Sequence, residues 1–330
     1  MVLNREVPVS DVVIGADIGG TMIKWVVTTA SQEPLGQGRV QTAPADPQRS
    51  LRRLRKDIAA ALPQAPDVFA AVGVACAGIV SARTGWLGRS PNLPGWEDTA
   101  LGQLVSDAFA GVPAVVANDV NAALYGEYRY GAGQGCRNLI MIALGTGVGG
   151  GVLVEGRLVT GAADGAGEIG HMILDPEGPT CTCGNRGCLE AYAGSVALLQ
   201  KARQLAVDDA KASTDFVGLV RERGERLSTS DLSQLARNGD DTARELFAGA
   251  GLRLGQAVAN CVNLLDPDRV IIGGGVAAAG DLILEPCRRY VPTAVLSEGS
   301  RQVPIVPAAK GSFAAALGVA ALAQHRGELA

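Results

Sequence analysis

Two stretches of the chain share one pattern that restricts its fold: an apolar run ends in glycines and resumes at once as a second apolar run. Residues 12–17 lead into Gly19-Gly20 and continue as 23–28, and Leu139–Leu144 leads into Gly145-Thr146-Gly147 and returns at 151–154. β-prone runs separated by a glycine turn read as hairpins. No sequence repeat accompanies them, so the echo suggests a duplicated domain plan. Between the two lie a helical period at 51–62 with Arg and Lys outward, a strand at 69–75, a helix at 99–109 and a strand at 114–117. Such alternation belongs to an α/β protein.

Residues 195–239 read as surface helices with polar connections. Asp241–Leu265 is a long helix with Leu246, Ala250, Leu254, Val258, Val262 and Leu265 on one face, stopped by Asp266-Pro267. A strand at 269–272 runs into Gly273-Gly274-Gly275, and 312–324 is an alanine-rich helix with Ser312 as its N-cap. At the usual ~100–200 residues per domain, the length suggests about two domains.

A hydrophobic share of 47% against a charged share of 19% indicates a compact globular chain rather than a disordered one. The net charge is −4, and a nucleic-acid surface normally needs a basic surplus, so no nucleic-acid partner is expected. The most apolar stretches, 138–154 and 312–323, are too short or too broken to span a bilayer, so no membrane partner is expected either. Residues 1–11 carry acidic groups and no apolar leader core, which points to a cytoplasmic protein. Of seven cysteines, three stand close together at Cys181, Cys183 and Cys188. In a reducing compartment that cluster fits a metal site better than a disulfide framework.

Asp17-Ile18-Gly19-Gly20-Thr21, with Lys24 following, forms the first chemical motif. Glycines at a tight hairpin let backbone N–H groups approach a phosphate, Thr21 adds a hydroxyl, and Asp17 is placed to hold Mg²⁺ through water. The plainer reading is an ordinary glycine hairpin. Gly145-Thr146-Gly147-Val148-Gly149-Gly150-Gly151 is not a P-loop, because no Lys-Ser/Thr pair closes it. A strand rather than a helix follows, so it is no dinucleotide fingerprint either. The two turns together read as jaws on one polyphosphate. Gly274 and Gly275, after the 269–272 strand, suit a loop against which a nucleoside lies, or a simple strand-to-helix turn.

His171, Cys181, Cys183 and Cys188 offer one imidazole and three thiolates, a donor set for Zn²⁺. Four protein ligands close the site, which argues for a structural metal, since catalysis needs an open position. The second ring nitrogen of His171 is then available to a further hydrogen-bond partner. Asp119, in Asn118-Asp119-Val120-Asn121, stands at a strand end before a helical run, as a base or merely as an N-cap.

Asp-x-Gly-Gly-Thr, then Gly-Thr-Gly-x-Gly-Gly-Gly, then Gly-Gly-Gly-Val resembles the phosphate and adenosine motifs of the actin–hexokinase–heat-shock ATPase superfamily. Gly167-Glu168-Ile169-Gly170-His171 and Cys181-Thr182-Cys183-Gly184-Asn185-Arg186-Gly187-Cys188-Leu189-Glu190 narrow the resemblance to the ROK family of kinases and repressors, from about Val12 to the last helix. It implies a two-lobed, actin-like (ribonuclease H-like) α/β fold with a cleft between lobes: a small lobe of 1–117 plus 312–330 and a large lobe of 118–311 carrying the zinc loop. It further implies an ATP-dependent sugar kinase with Asp119 as catalytic base. Gly78, Asn92, Asn118, Glu168, His171 and Glu190 would contact the sugar. ATP and Mg²⁺ would lie against Asp17, Gly19, Gly20, Thr21, Lys24, Gly145, Thr146, Gly147, Gly274 and Gly275. Glucose, phosphorylated at O6 in a glycolytic role, is the first expected acceptor. An N-acetylhexosamine, fructose or a cyclitol is the alternative, as is polyphosphate for the donor. A homodimer or homotetramer is the family expectation. The other class of function is a sugar-sensing regulator without its DNA-binding domain. Ala77 departs from the family, where Pro is common before the glycine. Trp96 reads either as a pocket cap or as core.

Overall fold

The computed structural model describes residues 12–29, 34–62, 69–90, 92–208 and 211–325. Residues 1–11, on which the expectation of no leader rests, and those after 325 lie outside the described residues. Strands β1 (Val13–Ile18), β2 (Met22–Thr28) and β3 (Pro34–Gln41) are followed by α1 (Pro47–Ala61), β4 (Ala71–Cys76), the short ribbon β5 (Val80–Ser81) and β6 (Trp86–Leu87), α2 (Leu101–Ala108), β7 (Ala114–Asn118) and α3 (Asp119–Tyr130). Next come β8 (Leu139–Leu144), β9 (Val148–Val154), β10 (Arg157–Leu158), α4 (Glu190–Ala193), α5 (Ser195–Asp208), α6 (Thr214–Arg223), α7 (Thr229–Arg237) and α8 (Asp241–Leu265). The chain closes with β11 (Arg269–Gly273), α9 (Asp281–Ala294), β12 (Ile305–Pro307) and α10 (Ala314–Gln324).

One five-stranded sheet has the order β3-β2-β1-β4-β7, the other β10-β9-β8-β11-β12. In the first, β1 pairs antiparallel with β2 and parallel with β4, and β4 pairs parallel with β7. One face of that sheet is sealed by α1 and α2: Leu51, Leu54, Ile58, Leu101 and Val105 pack on Ile14, Val72 and Val116. Each such side chain, fully buried, contributes about 1.5–3 kcal/mol. The opposite face takes α10, whose Ala316, Leu317 and Ala320 meet Val13, Val26 and Ala71. Backbone meets backbone there, since a Cβ at Gly15 or Gly73 would fall on the carbonyls of Ala316 and Val319.

Two compact units result. The first comprises Met1–Arg137, Val152–Ala166 and Ala309–Ala330; the second comprises Asn138–Gly151 and Gly167–Ala308. The first unit thus runs past residue 117 and takes in α3, because α3 packs on α10. Gly318 sits against the Ala122 carbonyl, and the fully buried Glu127 carboxylate accepts N–H bonds from Ala132, Ala309 and Lys310 at 2.8, 3.0 and 2.6 Å.

In the second unit α8 has the predicted bounds, with Leu246, Ala250, Leu254, Val258 and Val262 buried and Asp240 as N-cap. Two expectations change. β9 begins at Val148, so Gly149, Gly150 and Gly151 belong to the strand and the turn is confined to 145–147. Ser312 does not cap α10; its hydroxyl accepts from Arg39, and the helix starts two residues later. Among the described residues no helix is long and apolar enough to cross a membrane.

Candidate functional site

The parallel strands β1, β4 and β7 end together, with Ile18, Cys76 and Asn118 in one register row. Two carboxylates gather at this edge of the first unit. Asp17, one residue inside the end of β1, is paired with Lys24 on β2 at 3.0 Å, its side chain 14% exposed. Burial raises its pKa, and Lys24 opposes part of that rise. Asp119 opens α3, and its pKa is raised to about 6, first by burial and then by the charge of Asp17, against the Val120 N–H and Lys24. The Cys76 thiol at the same edge is pushed well up, by burial and then by both carboxylates.

The capping question is resolved by geometry. Asn118 is the N-cap: its Oδ1 accepts from the N–H groups of Val120 and Asn121 at 2.9 and 3.1 Å. The Asp119 carboxylate shares the Val120 N–H, at 2.9 Å, and takes its own N–H, while the Asn121 N–H goes to Asn118, so the capping duty falls on Asn118. The Asn118 Nδ2 donates to the Gly78 carbonyl at 3.2 Å, which leaves the amide one further N–H. Gly78 has φ +116° and lies against the Arg89 carbonyl, a position closed to side chains. At the departure from the family, the Ala77 carbonyl accepts from the Ser90 hydroxyl at 2.8 Å, so this loop is laced to 88–90 without proline. Asn92 is exposed, and its backbone carbonyl would lie 2.7 Å from a Cβ on Gly20. Gly20 is therefore required by the Asn92 loop, a reason the phosphate motif alone does not supply. Trp96 is fully buried and belongs to the core of the first unit. Thr21 is exposed at the turn, which Gly19 closes by donating to the Met22 carbonyl at 3.1 Å.

In the second unit, β8 and β11 run parallel and deliver the 145–147 turn and Gly274-Gly275 at one edge. Gly274 has φ +90° and abuts the Leu144 carbonyl, whereas Gly275 faces open space. Gly275 is thus the glycine that a nucleoside can approach, and Gly274 the one that the fold needs. Gly170 packs on the Val148 carbonyl and Gly150 on that of Gly167, which seats the Gly167–His171 segment on β9. Glu168 precedes the 3₁₀ turn Ile169–His171, is exposed, and makes no side-chain hydrogen bond among the described residues.

His171, Cys181, Cys183 and Cys188 come together with all ligand atoms within 4.8 Å of one another. Cys181 Sγ lies 3.6 Å from His171 Nδ1, and Cys183 Sγ lies 3.8 Å from Cys188 Sγ. Ligands at zinc distances on a tetrahedron stand ~3.5 Å apart for nitrogen and sulfur and ~3.8 Å for two sulfurs. The donor set therefore fits Zn²⁺, and Nδ1 is the His171 nitrogen that faces the cysteines. Glu190, expected among the sugar ligands, is engaged inside the unit. It accepts from the Val148 N–H at 3.0 Å and from the Thr182 hydroxyl at 2.5 Å, and a Cβ on Gly147 would fall on its carboxylate. Burial raises its pKa, but the bonds from Thr182, Val148 and Cys181 outweigh that and leave it lowered. Sequence reasoning missed Thr182, which passed as a spacer between cysteines, and Glu127, an acid with no motif around it.

Comparison with known proteins covers nearly the whole chain. The sequence profile of the ROK family matches residues 13–326. The glucokinase of Streptomyces coelicolor is 35% identical over 319 residues, 94% of this chain and 97% of that one. A ROK family glucokinase from Streptomyces griseus, solved in complex with glucose and AMPPNP, superposes with a TM-score of 0.81 at 34% identity, covering 95% of this chain and 99% of that one. The xylose repressor of Caldicellulosiruptor bescii is 29% identical over 84% of this chain and 69% of its own length. The mixed α/β, two-lobed actin-like ATPase fold is the fold of this chain.

Proposed function

The chain belongs to the ROK family, and from that premise we propose that it is an ATP:sugar phosphotransferase acting on the primary hydroxyl, O6, of a hexose, glucose first among them. The observation that carries this reading is Asp119, a desolvated carboxylate relieved of capping by Asn118, with its pKa raised to about 6. A general base works best when its pKa lies near the working pH. Asp119 accepts the proton of the sugar hydroxyl, and the oxygen attacks the γ-phosphorus in line as the bond to the ADP oxygen breaks. Asp17 is the residue that would hold Mg²⁺, which when bound screens the charge of the phosphates. Its buried carboxylate beside Lys24 suits a site where counter-charge is needed. In the 145–147 turn, Thr146 and Gly147 keep N–H groups not bonded to the backbone among the described residues, and these would face a phosphate.

Asn92, Asn118, Gly78, Glu168, His171 and Glu190 are the proposed sugar contacts. His171 serves through Nε2, because Nδ1 faces the metal cluster. His171 and the three cysteines would hold a Zn²⁺ in a structural role, fixing the loop. Phosphorylation assays with MgATP against glucose, fructose, N-acetylhexosamines and cyclitols test the reading, with polyphosphate as a second donor. Turnover of one acceptor fixes the substrate. Sugar binding without turnover in metal-loaded protein moves the chain to the sensor class that the repressor relative represents. A homodimer or homotetramer in a cytoplasmic setting accompanies the proposal, and light scattering measures the assembly.

A further inference from the structure

We propose that Thr182 is a positioning residue for the phosphoryl donor: through Glu190 it ties the metal loop to the 145–147 turn, so that this loop sets nucleotide affinity as well as sugar affinity. The inference rests on the kinase reading above and assigns Glu190 a second duty. The Glu190 Oε2 accepts from the Val148 N–H at 3.0 Å and lies over Gly147, where any side chain would collide with it. Its Oε1 accepts from the Thr182 hydroxyl at 2.5 Å, with Cys181 Sγ at 3.5 Å. A ligating Cys181 is a thiolate with no proton to share, so the hydroxyl of Thr182 is then the donor at Oε1.

The segment that follows Glu190 grips the same turn. Ser195 N–H donates to the Gly145 carbonyl at 2.9 Å and Val196 N–H to that of Thr146 at 3.4 Å. Gly145 N–H is spent on the Gly147 carbonyl at 2.9 Å. With those groups committed, the direction of the Thr146 and Gly147 N–H groups is fixed from outside the turn. One carboxylate, held at one oxygen by the metal loop and at the other by the strand after the turn, links the two. Backbone donors stabilise a phosphate only when they are held in the right orientation, and small displacements cost much of that effect.

The test is calorimetric titration with Mg·AMPPNP in the absence of sugar, with the zinc content of each sample measured. T182V keeps the side-chain shape without the hydroxyl and should bind about tenfold more weakly, the low end of what a hydrogen bond to a charged acceptor supplies. T182S, which restores the hydroxyl, should return to within about twofold of wild type. Stripping the metal from wild type should also weaken nucleotide binding, and stripping T182V should add less, because both act through Glu190. Wild-type nucleotide affinity in fully metal-loaded T182V overturns the relay and leaves the kinase reading standing. Equal weakness in T182V and T182S overturns it as well. A wild-type chain that binds no nucleotide overturns the kinase reading and the relay together.

Discussion

The hairpin turn after β1 and the turn after β8 look alike in sequence, yet they are supported in opposite ways. The first is charged from within: Asp17 pairs with Lys24 across the hairpin, and the carboxylate of Asp119 stands close enough to feel its charge. The second carries no charge of its own and is clasped from outside by Glu190, Ser195 and Val196. A glycine turn between strands is thus a geometry that serves two kinds of chemistry. In the first unit it sets charge and proton affinity, and in the second it sets the direction of backbone donors.

The sharpest way to break this contrast is Asp119→Asn. It should lower kcat on the order of 10²–10⁴-fold while calorimetric sugar affinity holds, as loss of a general base does. Retention of even a tenth of the turnover would remove the charged role from the first unit. Cys183→Ser should come next in size, with zinc content lost and the KM for sugar raised at least about tenfold. Unchanged metal content and unchanged sugar KM would detach the cluster from the site. The two glycines after β11 should separate cleanly. Gly275→Ala leaves the melting temperature alone and raises the KM for ATP about tenfold, if a methyl pressed into an occupied contact costs ~1–3 kcal/mol. Gly274→Ala, at φ +90°, instead loses more than ~1 kcal/mol of stability. The smallest effect is on pH. Asp119 must be ionised to act, so kcat/KM should fall tenfold per pH unit below about 6. Lys24 favours the ionised form, so Lys24→Met should move that limb to higher pH, and a limb that stays in place would disconnect the pair from the base.

Local patterns in the sequence were read correctly where they encode local geometry. The period of α8 and the spacing of His171, Cys181, Cys183 and Cys188 each lie within one short segment, and both elements form as expected. What the sequence does not show lies where distant segments meet. Gly20 answers to Asn92, Ser312 to Arg39 and Glu190 to Val148, and none of these pairs leaves a mark in its own neighbourhood of sequence. Asn118 and Asp119 are both good caps by composition, and Asn118 takes the duty because its backbone is still extended, at φ −62° and ψ 145°, where α3 begins. α9 carries Pro286 and Pro292, residues that argue against a helix, yet the helix persists through both.

The helix that covers the face of the first sheet opposite α1 and α2 comes from far along the chain. Val13, Val26 and Ala71 are made early, whereas Ala316, Leu317 and Ala320, which shield them, are made only after the whole second unit. At ~5–20 residues per second on the ribosome, that interval is on the order of tens of seconds. Throughout it, a nascent sheet must carry an uncovered apolar face, a natural substrate for a holding chaperone and a risk for aggregation. The edge that bears Asp17 and Asp119 is therefore among the first parts translated and among the last to be backed by its full packing, so a half-made chain would lack a settled place for the proposed base.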